Sequence, residues 1–302
     1  MEGCQSTLMI PNYKQFRFGH QTRQKAAMLR VHAFVALVTL ASLCAGTEVA
    51  CAQDSSAWVK DTHSALRILA GSRTGSVLMG GIEIQLQPGW KTYWRTPGDS
   101  GVPPRFDFSK SVNVESVTPL YPSPKKFDDG SGGTSYGYVK HVIFPLRIVP
   151  KNPNEPVQLK AAVSYAVCEK LCLPVEAEAE LAFTSSASAL DSVVAGALNK
   201  VPKPVGTAEA TPIALKSFRR VDDRVIVDIT APNPAGLELY AEGPTGEWAL
   251  PVPKRVGPDD KDMAHFEFKL DGLPPNTRPE GAQLKLTVVG AEGAFEYNIR
   301  LN

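Results

Sequence analysis

The strongest constraint on what this 302-residue chain can fold into is its punctuation: 25 prolines and 24 glycines, gathered largely in clusters between short apolar segments. Proline lacks a backbone donor and glycine accepts turn dihedrals, so such clusters end elements rather than extend them. The clusters Gln87-Pro-Gly89, Thr96-Pro-Gly-Asp-Ser-Gly101, Tyr121-Pro-Ser-Pro124 and Lys151-Asn-Pro-Asn-Glu-Pro156 bound β-branched or alternating segments. Those segments run from Ala65 to Ala70, Ser76 to Gln87, Val112 to Leu120, His141 to Val149 and Gln158 to Val167. Short strands at this spacing predict a β-sandwich.

The pattern changes near Ser185. Ser188 to Lys200 has helical apolar spacing with Ser188 as its expected N-cap, and it leads into the stiff spacer Val201-Pro-Lys-Pro-Val-Gly206. From Pro212 strand-like segments resume: Ile213 to Arg219, Arg224 to Thr230, Leu237 to Ala241, Ala264 to Leu270, Leu284 to Val289 and Phe295 to Leu301. A chain of this length holds two domains by default. The expected fold is therefore all-β, with two β-sandwich domains joined by a short helix and a Pro-rich linker. The expected bounds are 1–52 for an N-terminal extension and signal peptide, 53–187 for the first sandwich, 188–210 for helix and linker, and 211–302 for the second sandwich.

Charge excludes some partners. With 32 basic against 31 acidic residues, neither nucleic acid nor an anionic membrane surface is the expected target. The N-terminus carries the address. Lys25 and Arg30 precede an apolar run from Val31 to Ala45, followed by Ala50-Cys51-Ala52, which is the layout of a secretory signal cleaved after Ala52. Met28 is the expected start of translation. The run is short for a membrane span, and neither Cys44 nor Cys51 follows a Leu-small-small run of the kind that directs lipid attachment. A periplasmic, oxidising location is the expectation, with no stable membrane insertion after cleavage.

Removing that signal leaves Cys168 and Cys172 as the last two of five cysteines, within Val163-Ser-Tyr-Ala-Val-Cys-Glu-Lys-Leu-Cys-Leu-Pro174. On one straight strand their Cα atoms would stand about 13 Å apart, whereas a disulfide needs less than about 7 Å. A bonded pair therefore requires a hairpin turning through Glu169, Lys170 and Leu171, which sets the cysteines opposite each other. A ring this small stabilises a fold by only about 2 kcal/mol in the loop-entropy account. Redox exchange is favoured on that ground over a structural staple or a Cu(I) site. Lys170 would lower a neighbouring thiol's pKa and Glu169 would oppose it. Leu171, Leu173 and Pro174 give the pair an apolar rim. No closed zinc site is visible in the sequence, and neither a cofactor nor a metal is expected.

The residues around the pair resemble a known family. Val163 to Val175 is similar to the redox strand-turn of the N-terminal periplasmic domain of the thiol:disulfide interchange protein DsbD, and closer to its ScsB-like branch. Gln87-Pro-Gly-Trp-Lys-Thr-Tyr-Trp-Arg-Thr-Pro-Gly-Asp-Ser-Gly101 and Tyr121-Pro-Ser-Pro-Lys-Lys-Phe127 resemble the same family at matching spacing, so the likeness spans roughly residues 58 to 185. It implies an immunoglobulin-like sandwich whose cysteines, here Cys168 and Cys172, cycle between dithiol and disulfide. Electrons would arrive from a membrane-embedded thiol reductase and leave to periplasmic thioredoxin-like proteins through mixed disulfides.

The resemblance further implies a cap loop over the cysteines, matched by Tyr136-Gly137-Tyr138 behind the glycine-rich run Asp128 to Gly133. Tyr165 joins Glu169, Lys170 and Pro174 as surrounding candidates. Trp90, Tyr93 and Trp94 are read as core aromatics, and Asp99 as a turn former. Two departures stand out. DsbD proper separates its cysteines by five residues rather than three. The membrane and thioredoxin-like domains of the full-length family do not follow here, so the reductase is expected as a separate chain. The rival reading is a non-catalytic binding or scaffold module with a structural disulfide, or a copper-handling protein.

Overall fold

Strand formation follows the alternation written in the sequence. In Val157–Cys168 every second side chain from Val157 to Val167 is buried, while Gln158, Lys160, Ala162 and Ser164 are half-buried on the other face. Period two of this kind presents one face of a pleated strand to a core. The computed structural model describes residues 53–128, 132–184, 187–207, 209–258 and 261–302, all within one compact unit. The expected signal sequence, with its expected cleavage after Ala52 and start at Met28, lies outside the described residues.

The first sandwich contains β1 (Val59–Lys60), β2 (Ser64–Thr74), β3 (Val77–Leu86), β4 (Lys91–Gly98), β5 (Arg105–Asp107), β6 (Val114–Pro119), β7 (Lys125–Asp128), β8 (Thr134–Val139), β9 (His141–Pro150), β10 (Val157–Cys168) and β11 (Cys172–Phe183). One sheet has the order β1-β2-β3-β9-β6. The other runs β11-β10-β4-β8-β7, with β5 also on β10. Their inner faces share a core in which the Phe144 ring meets Phe106, Tyr121 and Tyr138 edge-on, each with centroids 5.4 Å apart. Edge-to-face contact suits the aromatic quadrupole. Along the edge strand β11, Glu176, Glu178 and Glu180 occupy one outward row.

After β11 comes helix α1 (Asp191–Leu198), which buries Val194 and Ala197 against Leu69 and Ile143. Ser188 is not its N-cap. Leu190 occupies that position, while the Ser188 hydroxyl accepts from the Leu190 N–H, so it closes the turn before the helix instead.

The second sandwich is built from β12 (Lys203–Val205), β13 (Ala214–Val221), β14 (Arg224–Thr230), β15 (Glu238–Glu242), β16 (Lys254–Arg255), β17 (Met263–Lys269), β18 (Gln283–Gly290) and β19 (Gly293–Arg300). Its sheets have the orders β12-β19-β18-β15 and β13-β14-β17-β16, and they close over Leu286, Val288, Tyr297, Val227 and Phe266. The fold is thus nearly all β, as the sequence leads one to expect. No helix among the described residues is long and apolar enough to cross a membrane.

Contacts between the sandwiches gather around Tyr240 and Arg95. Tyr240 of β15 enters the first core, edge-on to Trp94 at 5.2 Å and to Tyr136 at 4.6 Å between centroids. Beside it, Arg95 of β4 makes a forked ion pair with Glu242 at 2.7–3.1 Å and a second with Glu296, and Thr96 donates to Glu242 at 2.8 Å. The Arg95 guanidinium lies 4.4 Å over the Trp94 ring. Burial alone would disfavour its charge. The hydrogen bond and attraction of Glu242, with those of Glu296, outweigh that and hold Arg95 charged, its pKa raised.

Because Phe144 is fully buried among three aromatic rings, Phe144→Ala removes more packing than the site can recover by collapse. A loss of about 3–5 kcal/mol is expected, read from the midpoint of denaturant unfolding at unchanged slope.

Candidate functional site

The site begins with strand register. Antiparallel pairing of β10 with β11 sets Tyr165 opposite Val175, Val167 opposite Leu173 and Cys168 opposite Cys172. Glu169, Lys170 and Leu171 form the connection, as the spacing argument requires. The two sulfurs are bonded, with Cα atoms 4.2 Å apart.

Alternation then decides which way the sulfur looks. Val163, Tyr165 and Val167 point into the core, so Ala166 and Cys168 fall on the outer face of the sheet. Cys168 pairs with Lys91 across to β4, and the same two-residue rhythm puts Tyr93 on that outer face while Thr92 and Trp94 turn inward. Tyr93, Ala166 and Cys168 make a small buried cluster of their own. The Tyr93 hydroxyl donates to Cys168 Sγ at 2.9 Å and lies 3.2 Å from Cys172 Sγ. Thr92 donates to the Ala166 carbonyl at 2.8 Å, tying the base of this cluster to β10.

The two cysteines differ sharply in access. Cys168 is 2% exposed beneath Tyr93, whereas Cys172 is exposed at the hairpin. Around Cys172, Leu171 is 75% exposed and Leu173 38%, two large apolar side chains left in water beside the disulfide. Glu169, Lys170 and Pro174 are exposed on the same hairpin. Among the described residues, no group of three or more His, Cys, Asp or Glu side chains is arranged to hold a metal ion.

Tyr93 owes its position to missing side chains. Gly101 has φ +120°, and a Cβ there would stand 2.3 Å from the Tyr93 ring. Across the ladder, Gly137 lies opposite Tyr93, where a Cβ would strike the Thr92 carbonyl. Asp99, the expected turn former, accepts from the Thr134 N–H at 2.8 Å and holds the same loop to β8.

Tyr136-Gly137-Tyr138, expected as a cap loop, are part of a strand. These residues form β8, with both tyrosine rings buried in the core; Tyr138 donates to the Pro122 carbonyl at 2.8 Å and Tyr136 packs on Tyr240. Burial raises the pKa of both phenols. Residues 129–131 of the glycine-rich run lie outside the described residues. Tyr165 is also a core residue, its hydroxyl 2.8 Å from that of Ser64. The hydroxyl over the sulfurs is that of Tyr93, expected as a core aromatic like Trp94 but buried instead in the small outer-face cluster with Ala166 and Cys168.

Comparison with known proteins bears on this arrangement directly. Residues 65–184 match the family described as thiol:disulfide interchange protein DsbD, N-terminal. Among solved structures, the chain is similar to the N-terminal periplasmic domain of ScsB from Proteus mirabilis, at 21% identity and TM-score 0.67, covering 83% of this chain and 99% of that one. The YadV chaperone (10% identity, 78% and 99% covered, TM-score 0.20) and a chimeric titin Z1Z2 (9% identity, 83% and 99% covered, TM-score 0.17) superpose too loosely to inform the fold. No curated protein matches.

Gly101→Ala is expected to displace the Tyr93 ring and to cost more than about 1 kcal/mol, because both φ and space are wrong for a Cβ. Denaturant unfolding measures the loss. Near-ultraviolet circular dichroism of the native protein should change with it, since it senses a tyrosine packed on a disulfide. The stretch 65–184, with both cysteines inside it, matches the DsbD N-terminal family, and it is carried in a chain that shares the fold of the ScsB periplasmic domain.

Proposed function

We propose that this protein is a periplasmic thiol:disulfide exchange module that passes electrons from a membrane-embedded thiol reductase to oxidised thioredoxin-like proteins. One observation carries the reading: within a DsbD-type domain, an exposed Cys172 is bonded to a buried Cys168 under a tyrosine hydroxyl that reaches both sulfurs.

Access assigns the roles. An incoming thiolate can approach Cys172 Sγ, so it forms the new S–S bond there. The Cys168–Cys172 bond breaks, and its electron pair leaves with Cys168 Sγ as thiolate, where Tyr93 donates to it. A hydrogen bond to a charged sulfur is stronger than one to a neutral sulfur, so Tyr93 favours the transition state over the resting disulfide. The donor's second thiolate then attacks the mixed disulfide, releasing Cys172. Two electrons and two protons have moved to the pair, and the donor dithiol has become a disulfide.

Delivery reverses these steps. Cys172 thiolate attacks the acceptor's disulfide, and Cys168 resolves the mixed disulfide to regenerate the Cys168–Cys172 bond. Leu171 and Leu173 supply apolar contact beside the point of attack, and Glu169, Lys170 and Pro174 shape its rim. In this reading the segment 53–187 carries the chemistry, 188–210 connects, and 211–302 supports it.

Cys168→Ser should accumulate a mixed disulfide through Cys172 when mixed with an oxidised thioredoxin-like domain. Cys172→Ser should trap at least tenfold less, on the order of one pKa unit of differential stabilisation in free energy. Non-reducing electrophoresis and mass spectrometry distinguish the two. If neither variant traps a partner and the pair's reduction potential lies well below about −300 mV, the disulfide is a structural staple.

A further inference from the structure

The ladder between β4 and β8 is interrupted beside the sulfur site. Lys91, Thr92 and Tyr93 pair with Val139, Tyr138 and Gly137, but the next pair is Gly98 with Ser135, so five steps along β4 match two along β8. The bulged segment from Trp94 to Pro97 lacks that ladder, and the second sandwich holds it instead. Arg95 is gripped by Glu242 and Glu296 and donates to Thr287 at 3.3 Å, Thr96 donates to Glu242, and Trp94 packs on Tyr240. Both ends of the bulge reach Tyr93: it starts at that residue, and the loop that follows lays Gly101 against the ring.

We propose that Arg95 is a positioning residue through which the second sandwich sets the reactivity of the Cys168–Cys172 pair, by fixing the bulge that holds the Tyr93 hydroxyl on both sulfurs. This rests on the exchange reading of the pair, but it concerns a property measurable with any small dithiol. Three features make the coupling physical. The clamp is only two residues from Tyr93 along one strand. Its Arg95–Glu242 contact is forked, which fixes orientation as well as distance. The intervening backbone is held by no β8 pairing that would absorb a shift. Bulges re-aim side chains near sites in this way.

The test uses the full chain and dithiothreitol as reductant. Two electrons and two protons pass from the dithiol to the protein disulfide, and dithiothreitol closes to its own ring disulfide. Glu242→Gln keeps the volume and removes one of the two carboxylates facing Arg95. Arg95→Lys keeps the charge and loses the fork. Each is expected to slow reduction by about threefold or more, and Tyr93→Phe by about tenfold or more, the range set by one hydrogen bond to a charged group. In the Tyr93→Phe background, Glu242→Gln should have no further effect on the rate, because the clamp then has nothing to position.

Unfolding measured alongside separates this from simple destabilisation. Clamp variants that lower the unfolding midpoint yet reduce at the wild-type rate would overturn the proposal. So would an equal slowing by Glu242→Gln with and without Tyr93. A wild-type pair that traps no partner, while the clamp still sets its reduction rate, would instead overturn the relay and leave the coupling standing.

Discussion

The antiparallel register of β10 on β11 governs everything around the sulfurs. Pairing Tyr165 with Val175 buries both in the core, and the next steps then bring Cys168 opposite Cys172 on the outer face. A slip of one residue would send Cys168 into the core and expose Val167. The buried row Val157, Leu159, Ala161, Val163, Tyr165 and Val167 opposes that slip, since each of its members would leave the core together. The hydrophobic pattern of a long strand thereby aims a single disulfide.

Much of this was legible in the sequence. The impossibility of a disulfide along one straight strand forced the hairpin, and Gly/Pro punctuation with alternating segments marked both sandwiches and the helix between them. Trp94 fell on the core side of an alternating stretch and is buried there. The resemblance around Val163 to Val175 pointed to the family that residues 65–184 match. The local grammar of strands survives in the fold because inward faces have to be apolar.

What escaped was long-range. Tyr136 and Tyr138 read as a cap through the family resemblance, yet the pairing of β8 with β4 and the arrival of Tyr240 draw them into the core. Arg95 gave no sign of its partners: Glu242 and Glu296 lie more than a hundred residues away. Ser188 failed as a cap because its hydroxyl found a nearer donor in the Leu190 N–H. Gly101 carries meaning only once the Tyr93 ring is known to rest on it.

The acidic row on β11 has a consequence for life among other proteins. β11 is the edge strand of its sheet, and unpaired edge groups are where an extended chain can add on. Under the proposed exchange, the hairpin would bring such chains close repeatedly. Glu176, Glu178 and Glu180 line that strand with carboxylates, which discourage a strange strand from docking and starting an aggregate. Their row stops before Leu173, so the charged stretch ends where the exposed apolar tip begins, and under the proposed exchange a partner would meet the sulfur rather than the rest of the strand.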